Sequence, residues 1–396
     1  MLNKATKDFI KKHLFEDVRK LALQIKQPEA SGIDISLALN QIEARRKSES
    51  KIPSWYKNED ILYPSLISVE QCSSENTAQY KASLISGDTL VDLTGGFGVD
   101  AAFLSEKFDR VVYVERQKEL ANIAFHNFRV LNLPHIEVVN TDSIQYLNQM
   151  SLADCIFIDP SRRSSTGSRV LLIQDCEPNL IEIQDRLQAK ATAILVKLSP
   201  MLDVKSVLKE IKNVEQIHII SVNNECKELV LLIKSNYNEE PLVRCVNIRR
   251  EGNQINTFKC KYENDISISY TVQLQQYLYE PNASIMKGGF YKSIAVEYHL
   301  EKLHINSHLY TSSQLVTDFP GRIFEVADSS SMNKKDLKIF LSEVKQANLS
   351  IRNFPMPVSE LQKKLRIKDG GELYLFGTTL ANDKRIMIKT RQIFIS

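Results

Sequence analysis

Between Leu84 and Lys234, five short apolar runs alternate with helical stretches, and the segment closes on two strands only five residues apart. The runs are Thr89–Leu93, Arg110–Val114, Ile136–Asn140, Ala153–Ile158 and Ala193–Leu198. Helices are predicted at Val99–Lys107, Lys118–Leu131, Pro178–Gln188 and Val204–Ile211. Such alternation predicts a parallel sheet with helices on both faces. The ending is different. Gln216–Val222 and Glu228–Lys234 are joined by Asn223–Lys227, which suits a hairpin and cannot hold a crossover helix. Five parallel strands followed by an antiparallel pair is an uncommon end for a doubly wound fold.

The flanks have other patterns. Ile10, Leu14, Val18, Leu21 and Ile25 recur at three- and four-residue steps, which predicts one helical face ending near Pro28 and Gly32. A second helix is expected from Ile35 to about Lys47, and the basic stretch Arg45–Lys51 reads as a solvated loop, with nucleic-acid contact as the alternative. After Tyr237, strand-like runs occur at Val243–Arg249, Thr257–Tyr262 and Ile266–Leu274. Gly288-Gly289 is expected to open a helix over Tyr291–Leu300. A last unit reads strand Arg322–Val326, helix Lys334–Gln346, strand Leu349–Arg352, helix Val358–Leu365, and strands Glu372–Thr378 and Arg385–Thr390.

The chemistry concentrates where the apolar runs end. Asp92 closes the first, and Thr94-Gly95-Gly96-Phe97-Gly98 then turns the chain into a helix. Glycines there let backbone approach a ligand, and a helix start favours a negative group such as a carboxylate. Glu115 lies 23 residues after Asp92, at the end of the second run, where a carboxylate can accept both hydroxyls of a ribose. Asp142 follows the third run, and Asp159-Pro160 the fourth, at the carboxyl edge where open α/β sheets hold ligands. Ordinary strand-end turns and caps are the bland alternative for each position alone. Lys197–Asp203 and Asn223–Glu228 face the same edge and are candidates to shape an acceptor pocket. Cys226 as a nucleophile is a minor alternative, since no base or second cysteine accompanies it.

These residues resemble the class I S-adenosylmethionine (SAM)-dependent methyltransferases. The fold so implied is α/β: a seven-stranded, Rossmann-like sheet with an N-terminal helical region and a C-terminal α+β THUMP-like domain. The resemblance implies a cofactor site of Asp92, Thr94, Gly95, Gly96, Gly98, Glu115, Asp142 and Asp159, with the glycines around the methionine part, Glu115 on the ribose and Asp142 at adenine. Ile158-Asp159-Pro160-Ser161-Arg162-Arg163 is similar to the Asp-Pro-Pro-Arg type of several RNA base methyltransferases, departing from it at Ser161. Asp159, Pro160 and Arg162 are thereby the expected catalytic residues. Arg162 and Arg163 are open to two pairings, a phosphate or the local acids Asp175 and Glu177.

The whole chain resembles a bacterial methyltransferase family with a ferredoxin-like segment and a THUMP-like domain. Ser73–Ala78, Asp159–Arg163, Lys197–Asp203, Ile351–Pro355 and Lys368–Phe376 carry that likeness. The implied organisation is a helical region at 1–72, the methyltransferase domain at 73–237, a β-rich connection at 238–277, the ferredoxin-like segment at 278–321 and the THUMP-like domain at 322–396.

Charge and composition narrow the partners. Residues 322–396 hold 14 Lys+Arg against 8 Asp+Glu, a balance of +6 beside −3 for the rest. A basic end on a near-neutral body fits a polyanion, and a solvated charged surface is the alternative. With the THUMP-like resemblance, RNA (tRNA or rRNA) is the expected partner, contacted by Lys363, Lys364, Arg366, Lys384, Arg385 and Arg391. No run approaches the roughly 18 apolar residues of a membrane span, and Met1–Thr6 leads into no apolar signal core. A cytoplasmic protein with no membrane partner is expected. The six cysteines form no Cys-x-x-Cys pair, so free thiols and no metal site are expected. The competing functions are a protein or small-molecule methyltransferase, and an accessory SAM- or RNA-binding protein without turnover.

Overall fold

The computed structural model describes residues 2–24, 32–162, 172–249, 255–260 and 266–395. The chain forms two compact units. The first comprises Met1–Val222, Lys227–Leu242 and Arg250–Asn253, and the second Asn223–Cys226, Val243–Arg249 and Gln254–Ser396.

The first unit is built on seven strands: β1 (Gly87–Asp92), β2 (Phe108–Val114), β3 (Ile136–Val139), β4 (Ala153–Ile158), β5 (Ala191–Leu198), β6 (Val214–Val222) and β7 (Glu225–Lys234). They lie in the order β6-β7-β5-β4-β1-β2-β3, seven strands of a sheet that has nine among the described residues where seven were expected. β3, β2, β1, β4 and β5 run parallel, and β7 pairs antiparallel with β5 from Ala193↔Lys234 to Leu198↔Leu229. This is the class I methyltransferase sheet. Its central strands are covered on both faces, which is why β4 and β5 read as nearly unbroken apolar runs. The hairpin between β6 and β7 is tighter than expected. Asn223 and Asn224 alone form the turn, both in the left-handed region at φ 48° and 63°, which asparagine tolerates best after glycine.

The N-terminal residues depart from the periodicity reading. The predicted continuous face breaks into helices Lys4–His13 and Val18–Gln24, because Asp17 accepts from the backbone of Arg19 and Lys20 and starts the second. Ile10 and Leu21 still share a core, with Ala38 and Ile42 of helix Ile35–Lys51, whereas Ile25 lies outside the described residues. That third helix swallows the basic stretch expected as a loop. Arg45 donates to the carbonyls of Tyr56, Asn58 and Glu59, Arg46 to Glu16, and Lys51 to Glu70. These cations tie segments together. Trp55 and Tyr63 pack on Phe97 of the glycine turn, with ring centroids 5.0 and 5.8 Å away. Asn127 exchanges hydrogen bonds with the backbone of Leu62. Two later helices, Leu66–Gln71 and Glu75–Ala82, lead into β1.

In the second unit, β8 (Leu242–Ile248) and β9 (Ile255–Cys260) pair antiparallel. The third expected run, Ile266–Leu274, forms no strand and is held by a bridge at Tyr270↔Lys302. Gly288-Gly289 closes a helix, Ala283–Gly288, where one was expected to open: Gly289, at φ 76°, is its left-handed cap. A shorter helix follows at Ser293–Glu297. The unit's main sheet contains β10 (Tyr277–Pro281), β11 (Glu301–Lys302), β12 (Tyr310–Ser312), β13 (Gly321–Ser331), β14 (Asn348–Arg352), β15 (Leu373–Thr379) and β16 (Arg385–Ile393). Their order is β11-β12-β10-β13-β16-β15-β14, so one sheet runs through both halves of this unit. Leu278, Phe324, Phe376 and Ile388 form one core, while Leu361, Leu365, Leu375 and Met387 form another under helix Val358–Leu365.

Candidate active site

The turn after β1 is shaped by what packs behind it. A Cβ at Gly95 would lie 2.2 Å from the Tyr113 ring of β2, so no larger residue fits there without displacing that ring. Gly98 has φ 85°, and a Cβ there would lie 2.9 Å from Phe128. Tyr113 donates its hydroxyl to the Gly96 carbonyl, 2.5 Å away. Beneath the turn, Asp92 is 1% exposed. Its Oδ1 accepts from Thr94 N at 2.9 Å, whereas Oδ2 is buried with no hydrogen-bond partner among the described residues. Burial pushes the Asp92 carboxyl well above the usual range. The Thr94 bond opposes the shift, and the carboxylates of Asp100, Asp159 and Glu115 reinforce it.

Glu115, just past β2, is 7% exposed. Its Oε2 accepts from Gly96 N at 2.8 Å and its Oε1 from Gln117 N at 2.7 Å. A carboxylate offers about four lone-pair directions, so each oxygen keeps capacity for another donor. Asp142 is the N-cap of helix Ser143–Gln149, with Oδ1 taking the Ile144 and Gln145 N–H groups at 2.8 and 3.1 Å. Thr94 Oγ1 accepts from the Asp159 backbone N–H at 2.6 Å and so joins the glycine turn to the segment after β4.

Asp159 meets the first residue of the segment expected to shape an acceptor pocket. Lys197, at the end of β5, donates to Asp159 Oδ2 at 2.5 Å and lies 3.9 Å from Asp100 Oδ2. Burial disfavours the ammonium, but Asp159, Asp100 and Glu228 outweigh it and hold Lys197 above its ordinary value. The signal in the sequence was a lysine inside the otherwise apolar run Ala193–Leu198. Pro160 is buried, and beyond it Ser161 and Arg162 pair through their backbones with Glu177 and Cys176. Arg163 lies outside the described residues. Of the acids expected near these arginines, Glu177 pairs with Arg116 at 2.8 Å and Asp175 accepts from Leu172 N.

These groups surround a cleft of about 480 Å³ at the carboxyl edge of the sheet. Of the expected cofactor residues, Thr94, Gly95, Gly96, Gly98, Glu115, Asp142 and Asp159 line it and the buried Asp92 does not; Asp100, Lys197, Arg116 and, from the N-terminal helices, Ser68, Gln71 and Cys72 join them. Those last three carry no motif, and only the folded chain brings them there. The lining holds six carboxylates (Asp100, Glu115, Asp142, Asp159, Glu177, Glu182) against three cations (Arg116, Arg186, Lys197). This balance favours a positively charged or hydrogen-donating ligand. Among the described residues, no cluster of His, Cys, Asp and Glu is arranged to hold a metal ion.

The six basic residues of the C-terminal end are exposed, and they do not form one patch. Arg385 and Arg391 lie six residues apart on β16, about 20 Å along a strand. β14 and β15 are parallel, so helix Val358–Leu365 between them runs back along the sheet. This brings Lys363, Lys364 and Arg366 to the end of the sheet that holds Arg391, with Lys384 and Arg385 at the other end. All six cysteines are free thiols, and no helix among the described residues is long and apolar enough to cross a membrane.

No curated protein matches this sequence. Residues 277–320 match a ferredoxin-like domain family and residues 321–392 a THUMP domain-like family. Part of the chain is similar to TrmK of M. capricolum, solved with S-adenosyl-homocysteine (SAH), at 13% identity over 41% of this chain and 70% of that one, TM-score 0.33. An assigned rRNA methylase of Clostridium thermocellum is 18% identical over 40% of this chain and 94% of its own, TM-score 0.31. A protein of Porphyromonas gingivalis W83, a methyltransferase by assignment, is 33% identical over 98% of both chains, with a TM-score of 0.88. The chain therefore belongs to the methyltransferase family of that protein, with a class I methyltransferase sheet followed by ferredoxin-like and THUMP-like domains.

Proposed function

We propose that this chain binds SAM in the cleft and transfers its methyl group to a nitrogen of an RNA base, in tRNA or rRNA, as a cytoplasmic enzyme. The observation that carries the reading is the convergence of Gly95, Gly96, Gly98, Glu115 and Asp142 with Asp159 on one cleft. The residues fit the cofactor. The volume lies within the roughly 300–1,000 Å³ of small-molecule sites, and the acid excess suits a sulfonium cation. Bound SAM would supply an electrophilic methyl group. The chain's own work is placement: Glu115 has lone pairs to spare for two ribose hydroxyls, and Asp142 Oδ2 is left over from its cap for the adenine amine. Asp159 accepts an N–H of the acceptor and aims the nitrogen at the methyl carbon.

The basic C-terminal end and its THUMP-like match support RNA as the acceptor. The acid excess of the cleft favours a second reading, in which a cationic amine of a protein or small molecule is methylated. Mass spectrometry of RNA nucleosides from cells with and without this gene decides between them. A methylated nucleoside missing from the deletion supports RNA, and unchanged RNA supports the second reading.

Calorimetry tests the cofactor. Glu115→Ala is expected to weaken SAM binding by about 1–3 kcal/mol, because the ribose hydroxyls lose their acceptor. Wild-type affinity in that variant removes Glu115 from the site. For RNA, neutralising Lys363, Lys364 and Arg366 to Gln is expected to flatten the slope of log affinity against log salt. Each phosphate left without its cation should reduce the slope by about 0.7–0.9. An unchanged slope means that these three side chains touch no phosphate.

A further inference from the structure

We propose that Lys197 is a positioning residue that fixes Asp159 as an oriented anion, and that a buried chain of alternating charges behind it, Asp100, Lys81 and Glu228, holds Lys197 in place. The proposal rests on the reading of the cleft as a SAM site. It gives a role to three segments that the sequence singled out and the cofactor does not use: Ser73–Ala78, Lys197–Asp203 and Asn223–Glu228.

The geometry is continuous from the interior to the cleft. Lys81 is fully buried, and its Nζ lies 2.5 Å from Glu228 Oε1 and 3.1 Å from Asp100 Oδ1. Ser73 Oγ accepts from Lys81 at 3.1 Å and donates to Asp100 Oδ2 at 2.7 Å. Asp100 Oδ2 in turn lies 3.9 Å from Lys197 Nζ, which holds Asp159 Oδ2. Helix Glu75–Ala82, strand β7, helix Val99–Leu104, strand β5 and the segment after β4 each contribute one charge. Asp159, its side chain 35% exposed, is the most open member, and the chain therefore ends at the acceptor position.

An apolar core would stabilise this region as well as buried ion pairs do, so stability alone does not account for the arrangement. What it achieves is orientation. Lys197 occupies Asp159 Oδ2 and leaves Oδ1 to accept a substrate N–H. Asp100 and Asp159 keep Lys197 charged, so it is a fixed cation and takes no proton from substrate. Other titratable groups near the cluster include Asp92 and Glu115, and Lys51 and Cys72 from the N-terminal helices. Burial pushes the Cys72 thiol up to about 11, which keeps it neutral at physiological pH.

The test needs no acceptor. SAM carries a sulfonium charge that SAH lacks, so the ratio of their affinities reads the charge beside the methyl group. The full-length wild type sets the reference ratio. Lys197→Met removes a cation and should raise the preference for SAM about tenfold at neutral pH. Lys197→Arg should behave as wild type. If Lys197→Met does not fold, Asp159→Asn serves: the lysine then faces the sulfonium without the Asp159 carboxylate, and the preference for SAM should fall about tenfold. A ratio in Lys197→Met, or in Asp159→Asn where that variant is used, that is unchanged overturns the positioning role while leaving the SAM site intact. Wild type that binds neither ligand overturns both.

Discussion

Lys81→Met is expected to destabilise the protein by about 3–5 kcal/mol, the cost of breaking a buried ion pair by removing one partner. Lys81 is 0% exposed and holds Asp100, Glu228 and Ser73 at once. Methionine keeps much of the volume, so the loss reports the two carboxylates left buried without their cation. A denaturant midpoint lowered without a change of slope is the expected result. Lys81→Met with Glu228→Gln should recover part of the loss, since one of the stranded charges is gone. A shift below about 1 kcal/mol, the worth of an exposed pair, rules out a structural role for the chain of charges. The carboxyls carry a pH signature too. Burial raises Asp100, but Lys81 and Lys197 outweigh it and hold the carboxyl below 3.8. Its contribution is therefore present above that value and lost as pH falls through the lower folded one. Asp92 has the opposite sign. Its raised carboxyl favours the folded state most below its unfolded value, and that contribution is lost as pH rises through the folded one.

The fold was legible wherever a local rule and the tertiary structure agree. β4 and β5 announced themselves because strands covered on both faces must be apolar throughout. The hairpin was legible from its length, although the turn uses only Asn223 and Asn224. The break at Asp17 was not, because one carboxylate capping two N–H groups leaves the apolar spacing intact. Arg45–Lys51 read as a loop by composition, yet the targets of those cations are backbone carbonyls that only folding brings near. The same holds at the cleft. Its strand-end residues could be found by counting from Asp92. Lys81 and Glu228 are 147 residues apart, and neither sits in a pattern that implies the other. Gly95 read as room for a ligand, whereas its own constraint is the Tyr113 ring behind it.

Asp159→Ala is expected to lower methyl transfer by about 10²-fold, the cost of misplacing the acceptor nitrogen that it aims. The side chain makes no hydrogen bond to a backbone N–H among the described residues. Its carboxylate meets Lys197, and it is the residue's backbone N–H that is tied to Thr94. Alanine therefore keeps the Thr94 anchor and removes only the oriented oxygen. SAM affinity should fall by about tenfold at most, through the lysine left facing the sulfonium. The loss should thus appear in the single-turnover rate at saturating SAM, on RNA from cells lacking the gene. Asp159→Asn retains an acceptor oxygen without the charge. It should transfer faster than the alanine variant and slower than wild type if orientation and charge both contribute. An alanine variant that transfers at the wild-type rate would mean that acceptor positioning lies elsewhere in the cleft, with the Arg116–Glu177 pair on its wall the next place to look.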